Sequence, residues 1–252
     1  MSRKQLALII QARMNSTRFP NKVISDLSGT PLIERILQRV KKVKKIGKII
    51  IATTKRKEDD ILVEIAKSNK VEAFRGSEND LVDRYYQAVK DRNFDHILRL
   101  PADNPIPDPS EYNRLINYHL KTDNDFSSNI YNFLGNGYPC GIGVEIFTVK
   151  SLEKIWKFEK RKRYREHIAL NFYDYINGKK NKKFNFKIGT IKCPQQISRP
   201  NLFFHVDYYK DYIFLNKIYE YFLPSKKNFT TIDVINWYDK IYSKKKNIKN
   251  FA

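Results

Sequence analysis

The sequence predicts a doubly wound α/β fold: a mainly parallel sheet with helices on both faces. Two observations carry this. Short apolar runs alternate with amphipathic segments over the first hundred residues, the signature of successive strand–helix units. Polar clusters follow the apolar runs directly, after Gln11, Thr53, Phe74 and Leu100. A doubly wound sheet binds its ligands there, outside the carboxyl ends of its strands.

Each element can be justified in order. Gln5–Gln11 is a nearly continuous apolar run, as expected of a strand covered on both faces. A loop runs from Ala12 to Gly29. Thr30-Pro31 opens a helix, with proline where a missing N–H costs nothing. Leu32, Ile33, Ile36, Leu37, Val40 and Val43 form its apolar stripe. Lys48–Thr53 reads as a strand, Glu58–Asn69 as a helix, Val71–Phe74 as a short strand and Asp80–Arg92 as a helix. Ile97–Leu100 is a strand that enters the polar turn Pro101–Pro109. The second half is less regular. Strands are expected at Phe126–Asn129, Val144–Phe147, Phe184–Ile191 and Phe203–Asp207. Helices are expected at Val149–Phe158, Tyr164–Asn177, Tyr208–Phe222 and Thr231–Tyr242.

Composition narrows the function. With 252 residues, 41% of them hydrophobic, one sizeable core can form. No apolar run is long enough to cross a bilayer. The first residues lack a signal-peptide cleavage site, so they read as a buried strand of a cytoplasmic protein. The formal charge is +21. Clustered Lys and Arg can mark a nucleic-acid surface, but a chain heavy in Lys, Asn, Ile and Tyr reaches the same excess by bias. Bias is the favoured reading; a polyanion or membrane-surface contact is the alternative. The basic runs are Arg39–Lys48, Lys157–Arg165, Lys179–Lys183 and Lys244–Lys249. Cys140 and Cys193 are too far apart for a zinc or disulfide framework. His96, His119, His167 and His205 lack metal-ligand spacing.

The richest segment lies between Gln11 and Lys22, Gln-Ala-Arg-Met-Asn-Ser-Thr-Arg-Phe-Pro-Asn-Lys. It follows a buried strand and delivers Arg13, Ser16, Arg18 and Lys22 together. Such a loop can wrap a triphosphate, with N–H groups and cations facing phosphate oxygens. It is neither the Gly-rich loop of ATPases nor a dinucleotide fingerprint. The plain alternative is a solvated basic turn.

At this loop the chain resembles the cytidylyltransferases, close to the CMP-Kdo and CMP-sialic acid synthetases and to spore-coat polysaccharide cytidylyltransferases. Their pattern Ala-Arg-x-x-Ser-x-Arg-x-Pro-x-Lys stands here as Ala12, Arg13, Ser16, Arg18, Pro20 and Lys22. The resemblance continues through Ile50–Thr53 and through Phe74–Tyr85, the block that faces base and ribose. Arg99–Pro105 resembles the strand end that presents a metal-binding aspartate. Tyr138–Glu145 and Arg165-Glu166-His167 resemble the acceptor-side blocks. Phe204–Asp207 resembles the late strand with a second aspartate. Ala102 stands where glycine is usual, Cys140 where relatives tend to be acidic, and Phe203 near a frequent arginine. The acceptor half therefore matches less well than the nucleotide half.

The resemblance implies a GT-A-like, Rossmann-like nucleotidyltransferase fold in one domain, 1–243, with a basic tail over 244–252. Residues 1–125 would bind the nucleotide; 126–243 would bind the acceptor and form a homodimer. The expected activity is CMP transfer from CTP to an anionic acceptor, with release of pyrophosphate, in surface-glycan synthesis. Gln11, Ala12, Arg13, Ser16, Arg18, Lys22, Thr53, Arg75, Gly76, Ser77 and Asp103 would bind the nucleotide. Arg13, Lys22 and Asp103 would be catalytic. Glu145, Arg165 and His167 would orient the acceptor. Asp103 and Asp207 would hold Mg²⁺, a hard cation that prefers oxygen ligands. For each aspartate a turn or helix-cap role is the alternative. Rival readings are another NTP, a glycosyltransferase and an RNA-binding module. A glycosyltransferase would show Asp-x-Asp where Ala102-Asp103-Asn104 stands; an RNA module would leave the phosphate loop unexplained.

Overall fold

In the computed structural model, residues 5–131 and 133–242 are described; the basic tail lies outside them. The strands are β1 (Leu6–Gln11), β2 (Ile46–Thr54), β3 (Glu72–Gly76), β4 (His96–Pro101), β5 (Phe126–Ser128), β6 (Glu145–Thr148), β7 (Tyr173–Asp174), β8 (Lys179–Lys180) and β9 (Ile188–Gly189). The helices are α1 (Leu32–Val40), α2 (Asp60–Ser68), α3 (Leu81–Val89), α4 (Pro109–Thr122), α5 (Val149–Phe158), α6 (Lys162–Glu166), α7 (Tyr209–Phe222) and α8 (Thr231–Trp237). One seven-stranded sheet has the order β3-β2-β1-β4-β6-β5-β9. The strands β1 to β4 are mutually parallel, and β6 runs antiparallel to both β4 and β5. The second half thus extends the sheet that the first half begins.

The alternation along β1 explains the layers. Leu6, Leu8 and Ile10 face one core with α1, α2, α4, α7 and α8; Ala7 and Ile9 face another with α3 and α5. Strands buried on both faces read as apolar runs, which is why β1, β2 and β4 fall where the sequence predicts them.

Four expectations in the second half and its approach need correction. The turn expected over 101–109 leads into a helix that the sequence reading omits. In α4 the Asp108 carboxylate caps Ser110 N–H and Glu111 N–H, and Pro109 occupies the first turn. The helix expected over 164–177 ends at Glu166. The Asn171 amide donates to the carbonyls of Tyr164 and Ile168, which helical N–H groups would otherwise use. The chain then forms a hairpin of β7 and β8. The strand expected over 184–191 shortens to β9. Residues 203–207 form no strand. The backbone bends at His205 and Asp207 and pairs at a bridge between Cys140 and Phe203, with Phe204 N–H donating to Cys140 O and Val206 N–H to Asp103 O. Gly141, at φ 92°, permits this contact: a Cβ there would lie 2.5 Å from the Phe204 carbonyl.

Asp108 also joins α4 to α8, accepting from Thr231 N–H at 3.3 Å and Thr231 Oγ1 at 2.5 Å. Burial would raise its pKa, but the Ser110 and Thr231 hydroxyls outweigh burial and hold it below the usual carboxylate range. Asp108→Ala should lower stability by about 2 kcal/mol, through a lost cap and unpaired buried donors, read as a shifted urea midpoint. Because the folded pKa is depressed, this stabilisation is present above the ordinary carboxylate value and disappears as pH falls through the lowered one. The gap between wild type and mutant should shrink along that acid limb.

Candidate active site

The loop after β1 is held from below. Met14 N–H donates to Asp59 Oδ1 at 2.7 Å, and the same buried carboxylate accepts from Thr54 N–H and Thr54 Oγ1. These bonds outweigh the desolvation that would raise Asp59, and its pKa is lowered. Asn21 N–H returns to Met14 O, closing the loop on itself. Met14 is buried, while Arg13, Asn15, Thr17 and Arg18 stay exposed. The loop is therefore an anchored backbone presenting cations.

Its last residue turns inward. Lys22 is 9% exposed. Its ammonium donates to Val206 O at 2.6 Å and to Asp103 Oδ2 at 3.3 Å, and lies 3.7 Å from Asp207 Oδ1. Arg18 Nη2 meets Asp207 Oδ1 at 2.6 Å. Asp103 and Asp207, 104 positions apart in the chain, thus converge on one cation. Neither is a helix cap. Asp108 caps α4, while the N-cap of α7 is Tyr208, answered by Asp211.

Two clefts flank this cluster at the C-terminal edge of β1 and β4. The first, about 180 Å³, is lined by Gln11, Ala12, Arg13, Arg84, Glu166 and His167, among others. The second, about 500 Å³, is lined by Asn104, Tyr131, Cys140, Glu145, Tyr175 and Ile176, among others. Arg99 lines both. A further cavity of about 330 Å³ lies at the opposite ends of β2 and β3, beside Lys48 and Glu72, and holds none of these groups.

The remaining expected residues are placed as follows. Glu145 is 2% exposed and lines the second cleft, paired with Arg99 Nη1 at 2.5 Å and accepting from Tyr175 OH at 2.9 Å. His167 lines the first cleft with Arg13, not the second with Glu145. Arg165 lines neither: it pairs with Asp80 and donates to the carbonyls of Trp156 and Glu159. Arg75 also lines neither. Its guanidinium is engaged by Thr54 O, Arg56 O and Asp60. Thr53 is fully buried in β2. Gly76 gives Arg84 room, since a Cβ there would lie 2.8 Å from Arg84 Cγ. Ser77 O accepts from Arg84 Nε, and Ser77 Oγ from Asp80 N–H. Ser16 belongs to the loop turn, its N–H donating to Met14 O.

Sequence reasoning missed Asp59, Arg84, Arg99 and Tyr175. Arg84 carried a signal: a basic residue at a core-facing position of an amphipathic helix is costly unless it has a task. Arg99 interrupts an apolar strand in the same way. Its Nε donates to Gln11 Oε1 at 3.1 Å, where Tyr85 OH also donates at 3.2 Å. Burial works against the Arg99 charge, but Glu145 and Tyr85 outweigh it and raise its pKa.

Burial, with Asp103 and Asp207 nearby, pushes the Cys140 thiol up to about 12, although His205 Nδ1 lies 3.3 Å from its sulfur. Thiolate is the reactive form. At about pH 8 iodoacetamide should label Cys140 at least roughly tenfold more slowly than a free cysteine, as followed by peptide mass spectrometry. Labelling at the free-thiol rate would show an activated sulfur instead.

The comparisons with known proteins agree with this geometry. A family model described as cytidylyltransferase matches residues 7–240. An uncharacterised protein of Methanocaldococcus jannaschii is 36% identical over 226 residues, 90% of this chain and 85% of its own length. The spore coat polysaccharide biosynthesis protein SpsF of Bacillus subtilis is 29% identical over 220 residues, 85% of this chain and 86% of its own. The structure of a cytidylyltransferase from Leptospira borgpetersenii superposes with a TM-score of 0.82 at 31% identity, covering 95% of this chain and 96% of that one. With its nucleotidyltransferase-type sheet and the phosphate-loop pattern in place, the chain belongs to the cytidylyltransferase family.

Proposed function

We propose that the chain transfers CMP from CTP to an oxygen of an anionic small molecule, releasing pyrophosphate, as a step in surface-glycan synthesis. The observation that carries this is the cluster of Lys22, Asp103 and Asp207. It joins the end of the phosphate loop to the turn beside the second cleft. The start of the same loop lines the first cleft. A nucleotide on the Gln11–Arg13 side and an acceptor on the Glu145–Tyr175 side would then meet near these carboxylates. The spore-coat polysaccharide relative supports the glycan setting.

In this reading Arg13, Arg18 and Lys22 neutralise charge on the α-phosphate and the departing pyrophosphate, and transfer rests on positioning and charge stabilisation. The Gln11 side-chain oxygen Oε1 accepts from Arg99 and Tyr85, which leaves the amide NH₂ as the outward donor. Arg84, its Nε and Nη2 tied to Ser77 O and Glu78 O, forms a rigid cationic wall. Mg²⁺ is the proposed cofactor. The side chains of Asp103 and Asp207 are 29% and 23% exposed, all-oxygen donors that already draw two cations, so a hard divalent ion suits them. When bound, it would supply Lewis-acid polarisation of the phosphate. We also propose a homodimer formed through the second half, where Leu134, Ile176 and Phe203 are exposed apolar side chains. A cytoplasmic setting would supply the CTP; separately, no helix among the described residues is long and apolar enough to cross a membrane.

Pyrophosphate release with each of the four NTPs, against a panel of sugar acids, sugar phosphates and phosphonates, tests the reading directly. CTP should be the preferred donor, and it should raise Tm most, because a ligand bound to the native state stabilises it. Equal shifts from all four NTPs would remove the base preference.

The two aspartates should behave alike. Asp103→Asn and Asp207→Asn keep size and hydrogen bonding but remove a charge. Each should lower kcat by roughly two orders of magnitude or more while circular dichroism stays native. Near-normal turnover in Asp207→Asn would return that residue to a purely structural role.

A further inference from the structure

The basic run that begins at Arg39 lines neither of the two clefts beside the carboxylate cluster. Its first members stand in a different setting. A cavity of about 550 Å³ opens between α1 and the segment after α7. Its walls carry Arg35, Arg39, Lys42 and Lys227, and no carboxylate lines it. Arg35 and Arg39 are each only 8% exposed. Neither forms an ion pair among the described residues. Arg35 donates to the carbonyls of Leu27 and Ser28, and Arg39 to those of Pro107 and Phe229. Their guanidiniums lie over the rings of Tyr219 and Phe229, at 5.1 and 4.7 Å. Lys42 bonds to the neutral Asn228 side chain.

These partners satisfy N–H geometry but leave the charges standing. Burial lowers the pKa of Arg35 and of Lys42, and Arg39 lowers Lys42 further. Asp26 and Glu34 act on Arg35, and Asp108 feels Arg39; none of them lines the cavity. Asp108 is already satisfied by Ser110 and Thr231. The buried like charges of Arg35 and Arg39 repel each other more than they would in open water, and the two exposed lysines add to that field. Arg39 Nη2, the remaining Lys42 hydrogens and the Lys227 ammonium are left as donors.

We propose that this cavity is a second anion site, which takes a small soluble ligand bearing a multivalent phosphate. The Arg39 Nη2 group beside two ammonium groups suits phosphate oxygens, and the anion's charge would offset the repulsion. A soluble source fits better than a lipid headgroup. The two guanidiniums sit below the surface, where a flat bilayer cannot follow. None of the lining residues lines either catalytic cleft, so the site stands independently of the proposed transfer reaction.

The test is calorimetric titration of inorganic pyrophosphate into three proteins: wild type, Lys42→Glu/Lys227→Glu, and a charge-matched control, Lys179→Glu/Lys180→Glu. All four lysines are exposed, so the variants should fold. The readout is the binding lost on charge reversal, whether or not the catalytic cleft also binds pyrophosphate. The first variant should lose one class of binding by roughly tenfold or more, as expected for losing charge-assisted phosphate contacts. The control should keep it, and CTP-dependent turnover should change in neither. Undiminished binding in Lys42→Glu/Lys227→Glu, or an equal loss in the control, would overturn the proposal. So would binding to phosphatidylglycerol vesicles without binding to pyrophosphate.

Discussion

The Lys22 ammonium is the contact on which the rest of the site depends. It joins the first loop to Asp103, 81 residues on, and to Val206, 184 residues on. Without it two carboxylates would face each other across a partly buried space, with Asp207 left to its ion pair with Arg18. Breaking a buried pair by removing one partner costs more than the pair contributes, because the remaining charge is left unpaired. The same contact sets the position of residues 203–207, which have no strand ladder to hold them. Asp59 plays the complementary part at the other end of the loop. One buried carboxylate fixes where the loop leaves β1, and one buried ammonium fixes where it ends.

The legible part of the fold is the part governed by burial on both faces. β1, β2 and β4 are read correctly because each is an apolar run between polar clusters. The N-terminal ends of α1 and α3 are marked by Pro31 and Asp80 and their core faces by apolar stripes, while α3 stops at Val89, short of the expected Arg92. What escaped is governed by side-chain bonds that periodicity does not encode. The helix α4 buries Tyr112, Leu115 and Ile116 fully, and Tyr118 and Leu120 partly, within a polar stretch, so its pattern is faint, though Asp108-Pro109 is a fair start signal. The end of α6 is decided by the amide of Asn171. Residues 203–207 look like a strand because Phe204 and Val206 alternate with His205 and Asp207, but Cys140 and Asp103 supply their partners from loops.

The site divides in the same way. The loop from Gln11 to Lys22 was legible because so many cations and hydroxyls after a buried strand have few structural uses. The convergence of Asp103 and Asp207 rested on resemblance, since nothing in spacing brings two such distant residues together. Arg75 and Arg165 show the converse. Both belong to blocks that look functional, yet each side chain is consumed by backbone carbonyls and a neighbouring aspartate. An arginine with five donors is as useful for tying loops as for holding ligands, and sequence alone does not separate the two uses. Besides Arg13 of the loop, Arg84 and Arg99 are the arginines that line the clefts, and both hide in apolar patterns.

Arg99 has a consequence for what the second cleft can hold. It lines both clefts, but its charge is matched by Glu145, which Tyr175 also engages. The other residues around the second cleft are Pro101, Asn104, Ile130, Tyr131, Cys140, Gly141, Gly143 and Ile176. No unmatched cation stands among them, so the wall itself offers an anion little. The unsaturated positive charge lies instead on the loop side, with Arg13 and with whatever part of Arg18 and Lys22 a bound metal would free from the aspartates. An anionic acceptor would therefore orient with its charged group toward the phosphate loop and its uncharged part against Ile130, Tyr131 and Ile176. That orientation carries the reacting end toward the carboxylate cluster. Selectivity for the acceptor would then rest on the shape and apolar lining of the far wall.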